Sequence, residues 1–287
     1  MSKILVPVDF TMACHNAYTY GLQLAENFNL GIQLVHYYSG SMDPNGSFYV
    51  AGDGTVQGSL QNRLEQFAQS ATPEGEFPPI SIPDGVQVDC EVGSALSFAQ
   101  RINKRAEQDD IEFVVMATRT GNAVLEKWLG STSATVSESC KRPIFLVPPT
   151  VRYEEIKNIV IANHHETAED DPLEQIELLS AYTRAKLHFV NVVTANNRKG
   201  PQFIPYELME ELAEENSYWP HRYDIVSVKE KTVSGGLIKY AEQVEADLIV
   251  VVNQVRSYWK SLLYRGTTQA MTFTTDRPLL ILHTEDD

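Results

Sequence analysis

The sequence predicts an α/β protein made of two tandem doubly wound domains, each built on a parallel sheet with helices on both faces. Short apolar runs alternate along the chain with segments whose apolar residues recur at helical spacing. The runs are continuously apolar and do not alternate with polar residues, which is typical of strands buried on both faces of a parallel sheet. The 287 residues are also enough for two domains of ordinary size.

The first half of the chain, residues 1–150, contains five predicted strands. They are the apolar runs at 3–9, 32–38, 86–92, 111–118 and 143–149. Helices are predicted between these strands over 11–28, from about 59 to 71, over 94–108 with Ser94 as the N-terminal cap, and from about 130. Residues 39–58 are polar and rich in glycine, and they predict a long loop.

The second half, residues 154–287, repeats this order, with a boundary expected near 150–155. The predicted strands are 156–163, 186–194, 224–230, 246–253 and the apolar run that ends at 283, and the predicted helices lie after Pro172, near 204–216 and near 234–245. Both halves end alike. Segments 129–148 and 265–283 each carry a glycine and two hydroxyl residues at a helix start, then Arg-Pro, then an apolar strand.

Composition limits the classes of function. The formal net charge is -15, so the surface should repel the phosphates of nucleic acids and of anionic membranes, although a small anion can still bind to local backbone donors. The three cysteines (Cys14, Cys90 and Cys140) form no CxxC pair, so we expect neither a disulfide framework nor a zinc knuckle. No signal peptide and no apolar run of membrane-spanning length is evident, and we expect a cytoplasmic protein.

Three stretches resemble the universal stress protein family in its tandem, two-module form. They are ILVPVDFT at 4–11, LVHYY at 34–38 and FVVMATRTGNAVLEKWLGSTSATV at 113–136. The resemblance implies a Rossmann-like α/β fold in each module, with module 1 at 1–150 and module 2 at 154–287. It also implies a role in stress response or signalling and the binding of ATP, with Mg²⁺ as an optional companion.

Family members that bind ATP carry Gly-x-x-Gly, nine further residues, and then Gly-Ser or Gly-Thr. In the first half, Ala117 and Thr120 stand at the first two glycine positions, and Gly130 and Ser131 form the last pair. A helix that starts with free amides and hydroxyls suits phosphate. The resemblance therefore assigns a nucleotide site to Asp9, Val35, Met116, Ala117, Thr120, Gly130, Ser131 and Thr132.

Each of these residues has an expected role. Asp9 would face the ribose or a metal ion, and Val35 would present its backbone to the base. Met116, Ala117 and Thr120 would line the pocket, and 130–132 would hold the phosphates.

The second half departs further from the family pattern. Counting back from Gly266 places Asn253 and Arg256 where the glycines belong, and Asn163 where the aspartate belongs. Glycine lets the backbone turn sharply and lie close to a ligand, so its loss weakens the site. We expect module 2 to be degenerate.

A second interpretation stays open at this point. The segment 130–132 could be an ordinary helix start with a good cap, and Asp9 could cap the helix that begins near Thr11. The chain would then be an interaction scaffold that uses the 39–58 loop and the last strand of each half. Those two strands are also candidates for pairing the two modules, or for a homodimer. No nucleophile with a base and an orienting group is evident, so slow ATP hydrolysis is the most that we expect.

Overall fold

The computed structural model describes residues 1–39, 41–42, 48–49, 54–70, 77–118, 131–162, 170–194, 223–253 and 276–283. These residues form two compact units, of which the first reaches Tyr153 and the second begins at Glu154. In the part of the chain that is described, no helix is both long enough and apolar enough to cross a membrane.

The first unit contains strands and helices in alternation around a parallel sheet. In chain order its elements are β1 (Lys3–Pro7), α1 (Met12–Phe28), β2 (Gly31–Ser39), β3 (Ser41–Met42), β4 (Phe48–Tyr49), α2 (Gly54–Gln69), β5 (Val88–Ala95), α3 (Phe98–Ala106), β6 (Ile111–Ala117), α4 (Ser131–Ser139) and β7 (Ile144–Val147). The sheet order is β7-β6-β1-β2-β5, and all its strand pairs are parallel. Strands β3 and β4 form a separate antiparallel pair.

The second unit has the same arrangement. In chain order its elements are β8 (Asn158–Ala162), α5 (Asp170–Thr183), β9 (Lys186–Val193), β10 (Tyr223–Lys229), α6 (Val233–Gln243), β11 (Leu248–Asn253) and β12 (Leu279–His283). The parallel sheet has the order β10-β9-β8-β11-β12. In both units the five strands therefore lie in the order third, second, first, fourth, fifth, which confirms the predicted doubly wound α/β class.

The sheet order determines where the helices and the cleft lie. Right-handed crossovers place α1 and α2 on one face of the first sheet, and α3 and α4 on the other. Strands β1, β6 and β7 contain the buried runs 4–6, 113–116 and 144–147, as their apolar sequences predict. The winding direction reverses between β1 and β6, and such a reversal opens a crevice at the carboxyl ends of the strands.

The predicted start of helix α3 is wrong. The pairing of β2 with β5 continues to Ser39 and Ala95, so Ser94 lies in a strand and cannot cap the helix. Ser97 is the cap, and its hydroxyl accepts a hydrogen bond from the amide of Gln100 at 3.4 Å. The sequence offers two serines at suitable positions, and only the length of the strand pairing separates them.

This correction predicts different effects for two neighbouring serine substitutions. Ser97→Ala should lower the free energy of unfolding by about 1 kcal/mol, because it removes the side chain that satisfies a free helix amide. Ser94→Ala is the matched control, and we expect a change below about 0.5 kcal/mol. Urea denaturation of the two variants measures the difference. Equal losses of unfolding free energy in the two variants would contradict the assignment of Ser97 as the cap.

Two further segments differ from their predictions. The segment 39–58 is not one loop, since it contains the β3–β4 pair and the first turn of α2, which begins at Gly54. Helix α5 begins at Asp170, before Pro172, because proline is tolerated in the first turn of a helix, where its missing amide has no partner to lose. The predicted helix near 204–216 lies outside the described residues.

Candidate functional site

A proline separates two strands at the point where the sheet reverses direction. The pairing of β1 with β6 ends at Leu5 and Val114, whereas β6 stays paired with β7 as far as Ala117. Pro7, the last residue of β1, has no N–H to donate across this gap. The carboxyl ends of β1 and β6 are therefore not joined by a ladder, which leaves room between them.

A cavity of about 400 Å³ lies at this gap. This is within the range of roughly 300–1,000 Å³ that is usual for pockets that hold small molecules. Strands β1, β2 and β6 contribute their carboxyl ends, and helices α1, α3 and α4 contribute their first turns or nearby residues. The lining residues are Pro7, Val8, Asp9, Cys14, Val35, His36, Tyr37, Tyr38, Phe98, Ile102, Met116, Ala117, Thr132 and Ser133.

The fold brings most of the predicted site residues to this cavity. Five of the eight line it: Asp9, Val35, Met116, Ala117 and Thr132. They come from four separate segments of the chain, so the cavity depends on the tertiary fold. Ser131 is the first residue of α4, and its side chain is outside the described set. Thr120 and Gly130 lie outside the described residues.

Asp9 is tied to the start of helix α1. Its Oδ1 accepts hydrogen bonds from the backbone amide of Thr11 at 3.1 Å and from the Thr11 hydroxyl at 2.7 Å. Thr11 is the helix cap, because its own hydroxyl oxygen accepts from the amide of Cys14 at 3.2 Å. Asp9 therefore does not cap helix α1 itself, as the second interpretation of the sequence proposes. Asp9 orients the cap, and its exposed carboxylate also lines the cavity.

Cys14 and His15 do not form a nucleophile with its base. The Cys14 thiol donates to the carbonyl of Pro7 at 3.3 Å, and burial raises its pKa to about 12. At neutral pH this thiol is protonated and unreactive. His15 points elsewhere: its Nε2 lies 2.9 Å from the Ser70 hydroxyl, and its ring stacks on Phe77 at 5.2 Å. Burial lowers the pKa of His15, so its imidazole is neutral at pH 7.

Strand β2 supplies one wall of the cavity. The carbonyl of Val35 accepts the amide of Val8 at 2.8 Å, which fixes the two strand ends together. His36 is half-buried and lines the cavity. Its Nδ1 lies 2.7 Å from the carbonyl of Val8, which can only accept, so Nδ1 carries the proton. Its ring lies against Phe10, with the centroids 4.6 Å apart.

The helices supply the opposite wall and the polar end. Phe98 is 39% exposed and lines the cavity together with Ile102. Thr132 lies in the first turn of α4 and also lines the cavity, while the neighbouring Ser133 donates to the carbonyl of Ala117 at 3.4 Å. The amino end of α4 is thus fixed against the end of β6, and its positive dipole end lies at the cavity.

Sequence reasoning missed several lining residues. The residues on β2 could have been found, since they end a predicted strand on the ligand side of the sheet. The residues from α3 and the serine on α4 carry no such signal, because their contribution depends on the packing of α3 over β2. The lining residues that are absent from the predicted site are Pro7, Val8, Cys14, His36, Tyr37, Tyr38, Phe98, Ile102 and Ser133.

Comparison with known families agrees with this geometry. The model of the universal stress protein family matches residues 1–148. The chain belongs to this family. A search of curated proteins found no match to the sequence. The family match covers the first unit as far as residue 148, including every lining residue of the cavity.

Solved structures extend the likeness over both units. A universal stress protein from Archaeoglobus fulgidus DSM 4304 has 13% sequence identity and a TM-score of 0.63, with 98% of each chain covered. A functionally unknown protein from Pseudomonas aeruginosa PAO1 has 12% identity and a TM-score of 0.55, with 100% of this chain and 94% of that chain covered. At such identities the likeness concerns the fold, and it shows that the two-unit architecture is shared.

The universal stress protein pattern in the second unit needs one correction at its fourth strand. In both units the strand is held by the same hydrogen bond, in which the amide of Val114 or Ile249 donates to the proline carbonyl of the Arg-Pro pair. Val114 and Ile249 therefore hold equivalent positions. Three residues further on, the counterpart of Ala117 is Val252, and the assignment to Asn253 was wrong because the following segments differ in length.

The aspartate position of the second unit falls just beyond its first strand. In each unit the amide that begins the second strand donates to the carbonyl just before the first strand. The first strands therefore start in register at Lys3 and Asn158. Strand β8 ends at Ala162, and Asn163, the residue that the sequence assigns to the aspartate position, lies outside the described residues.

Proposed function

We propose that the first unit binds an adenine nucleotide, ATP in the first place, and that the chain acts through this binding in stress response or signalling. The observation that carries the proposal is the cavity between β1 and β6. It gathers Asp9, Val35, Met116, Ala117 and Thr132, the described lining residues that the family resemblance assigns to a nucleotide. The second unit is the degenerate partner in this proposal.

The chemistry of the cavity suits the two parts of a nucleotide. The side chains of Val35, Ile102 and Met116 provide an apolar surface against which a planar base can pack, with Tyr37 and Phe98 beside it. At the other end, the first turn of α4 offers hydroxyls and the positive end of a helix dipole to phosphate. An apolar wall with a few convergent polar groups is the usual character of a cofactor pocket.

Electrostatics favour a nucleotide that carries a cation. Asp9 is the one residue with a formal charge at neutral pH among the described lining residues, and it is negative. A bare triphosphate would face this carboxylate on a chain whose net charge is -15. Mg²⁺ held between Asp9 and the phosphates would convert this repulsion into attraction, since carboxylate and phosphate oxygens are the ligands that Mg²⁺ prefers. We therefore expect binding to be stronger with Mg²⁺ than without it.

The proposed activity is binding without committed turnover. The Cys14 thiol is held protonated by burial, and the His36 Nδ1 is engaged with a backbone carbonyl. Neither residue has the geometry of a nucleophile with its base. The described lining residues of α4, Thr132 and Ser133, carry hydroxyls suited to hydrogen bonding.

The direct test is to ask whether nucleotide binds and whether it binds in this cavity. Calorimetric titration of the purified chain with Mg-ATP should give saturable binding near one site per chain, and denaturation should release any nucleotide carried through purification. Ala117→Leu should weaken this binding at least about a hundredfold, because the larger side chain fills the space between the strand ends.

The control and the contrary result are equally direct. Ala181→Leu makes the same exchange at an exposed helix position of the second unit, and it should leave binding unchanged. Absence of bound nucleotide, together with no thermal shift in millimolar Mg-ATP, would refute nucleotide binding and favour the interaction scaffold. Pairing of the two modules, homodimer formation and a cytoplasmic location stay predictions, and light scattering of the same samples tests the dimer.

A further inference from the structure

The third helices of the two units can be matched residue by residue. Ser97 and Thr232 cap α3 and α6, and each side chain accepts from the amide three residues on. Nine residues after each cap the same three amino acids follow, at 106–108 and at 241–243. No insertion separates the two helices over this length, so the fourth residue after each cap is Arg101 in one unit and Gly236 in the other.

The second strands match in the same way. Tyr37 and Val192 are each the seventh residue of their strand, and the two strands share a burial pattern with the same alternation at the carboxyl end. Their partners on the third strand are Gly93 and Val228. A tyrosine beside a glycine in the first unit therefore corresponds to two valines in the second.

In the first unit a large side-chain pair stands between helix and strand. The guanidinium carbon of Arg101 lies 5.4 Å from the centroid of the Tyr37 ring. Both side chains also contact Oε1 of Glu91 on β5. This oxygen lies 3.6 Å from Nη2 of Arg101 and 3.5 Å from the hydroxyl of Tyr37. A Cβ on Gly93 would lie 3.5 Å from the Tyr37 ring, which is ordinary van der Waals contact. Tyr37 is also part of the cavity wall.

In the second unit the equivalent space has closed. A Cβ built on Gly236 would lie 2.5 Å and 2.9 Å from the two γ-carbons of Val192, which is closer than real Cβ atoms approach. No side chain fits at this position of α6, so the backbone of the helix lies directly on β9. At the position that Arg101 occupies in the first unit, α6 therefore has no side chain between its backbone and Val192.

We infer that the Tyr37–Arg101 pair is a spacer that holds α3 off strand β2 and so keeps the cavity of the first unit open. Protein interiors are close-packed, so a helix without the spacer settles onto the strand, as α6 does on β9. The pair therefore determines which unit can hold a ligand. Its effect on nucleotide binding rests on the proposed function, but its effect on the cavity does not.

The test gives the first unit the residues of the second. In the Tyr37→Val, Arg101→Gly double variant, a crystal structure should show α3 shifted toward β2 and the cavity reduced. The Kd for Mg-ATP should rise at least about tenfold. The conservative double variant Tyr37→Phe, Arg101→Lys keeps the bulk, and it should keep both the cavity and most of the affinity.

The controls separate a spacer from a general loss of stability. Lys104→Gly places a glycine at another exposed position of α3, and it should weaken the helix without changing the Kd. If the double variant does not fold, Tyr37→Val alone can be used, because it leaves the sequence of α3 unchanged. We expect the same reduction of the cavity and the same rise in Kd, but smaller. A double variant whose cavity keeps the wild-type volume would overturn the inference. A wild type without nucleotide affinity, beside a variant with a collapsed cavity, would refute the proposed function and leave the spacer intact.

Discussion

Between pH 6.5 and pH 4 the folded chain is expected to lose about 3 kcal/mol of stability through His283 alone. His283 ends β12 and is buried, and burial lowers its pKa from an ordinary value of 6.5 to about 4. As pH falls, the unfolded chain protonates this imidazole near 6.5, while the folded chain does not until about 4. The unfolded state therefore binds more protons in this window, and stability falls with pH.

Substitution of His283 by leucine should remove this part of the pH dependence. Urea denaturation at pH 7 and pH 4 gives the loss in free energy of unfolding for each protein. The loss for wild type minus the loss for His283→Leu is the contribution of His283. Burial also lowers the pKa of His15 and of His188, and both residues remain in the variant, so their contributions cancel in the comparison. Parallel pH profiles for the two proteins would show that His283 protonates freely in the folded state.

Replacing Gly236 with alanine is expected to destabilise the second unit by about 2 kcal/mol, which is the overpacking cost less the gain in helix propensity. The added methyl would meet the branched side chain of Val192, which has no free end to swing away. Gly58→Ala is the matched control in helix α2. A Cβ at Gly58 meets nothing within 4 Å, so this substitution should stabilise the chain by roughly 0.5–1 kcal/mol.

A compensating substitution distinguishes close contact from an unrelated defect. Val192→Ala removes the atoms that the new methyl meets, so Gly236→Ala should cost less in the Val192→Ala background than in wild type. A coupling of about 1 kcal/mol or more in this double-mutant cycle would support the contact. Strictly additive losses would show that α6 does not lie against β9 at this point, and the comparison of the two units would lose its basis.

The fold could be predicted from the sequence because its main signals are local. Apolar runs such as 111–118 are typical of strands in a sheet covered on both faces, and the spacing of apolar residues in 11–28 is typical of a helix. The repetition of these signals in the second half made two units evident. The residues of the nucleotide site that end strands, such as Asp9 and Met116, were placed by the same logic, since parallel strands end together.

The predicted positions within the elements were wrong where the sequence allowed more than one choice. Ser94 and Ser97 are equally good caps by sequence, and the extent of strand pairing chose between them. Counting back from Gly266 misplaced the counterpart of Ala117, because the count assumes that the intervening segments have the same length. The hydrogen-bond register of the strands needs no such assumption. Both errors arise from contacts between segments that are distant in the chain.

The sequence by itself determined the α/β class, the two modules and the strand ends that face the cleft. These follow from the pattern of apolar residues and the order of the elements, and they do not depend on how far apart the elements pack. Only the tertiary structure decided the shape of the cleft. Pro7 leaves two strand ends unjoined, Asp9 is fixed by the cap that it orients, and the side chains of α3 form a wall. Whether a cavity exists depends on how far a helix stands from a strand, and that distance is set by side chains on both elements at once, such as Tyr37 and Arg101.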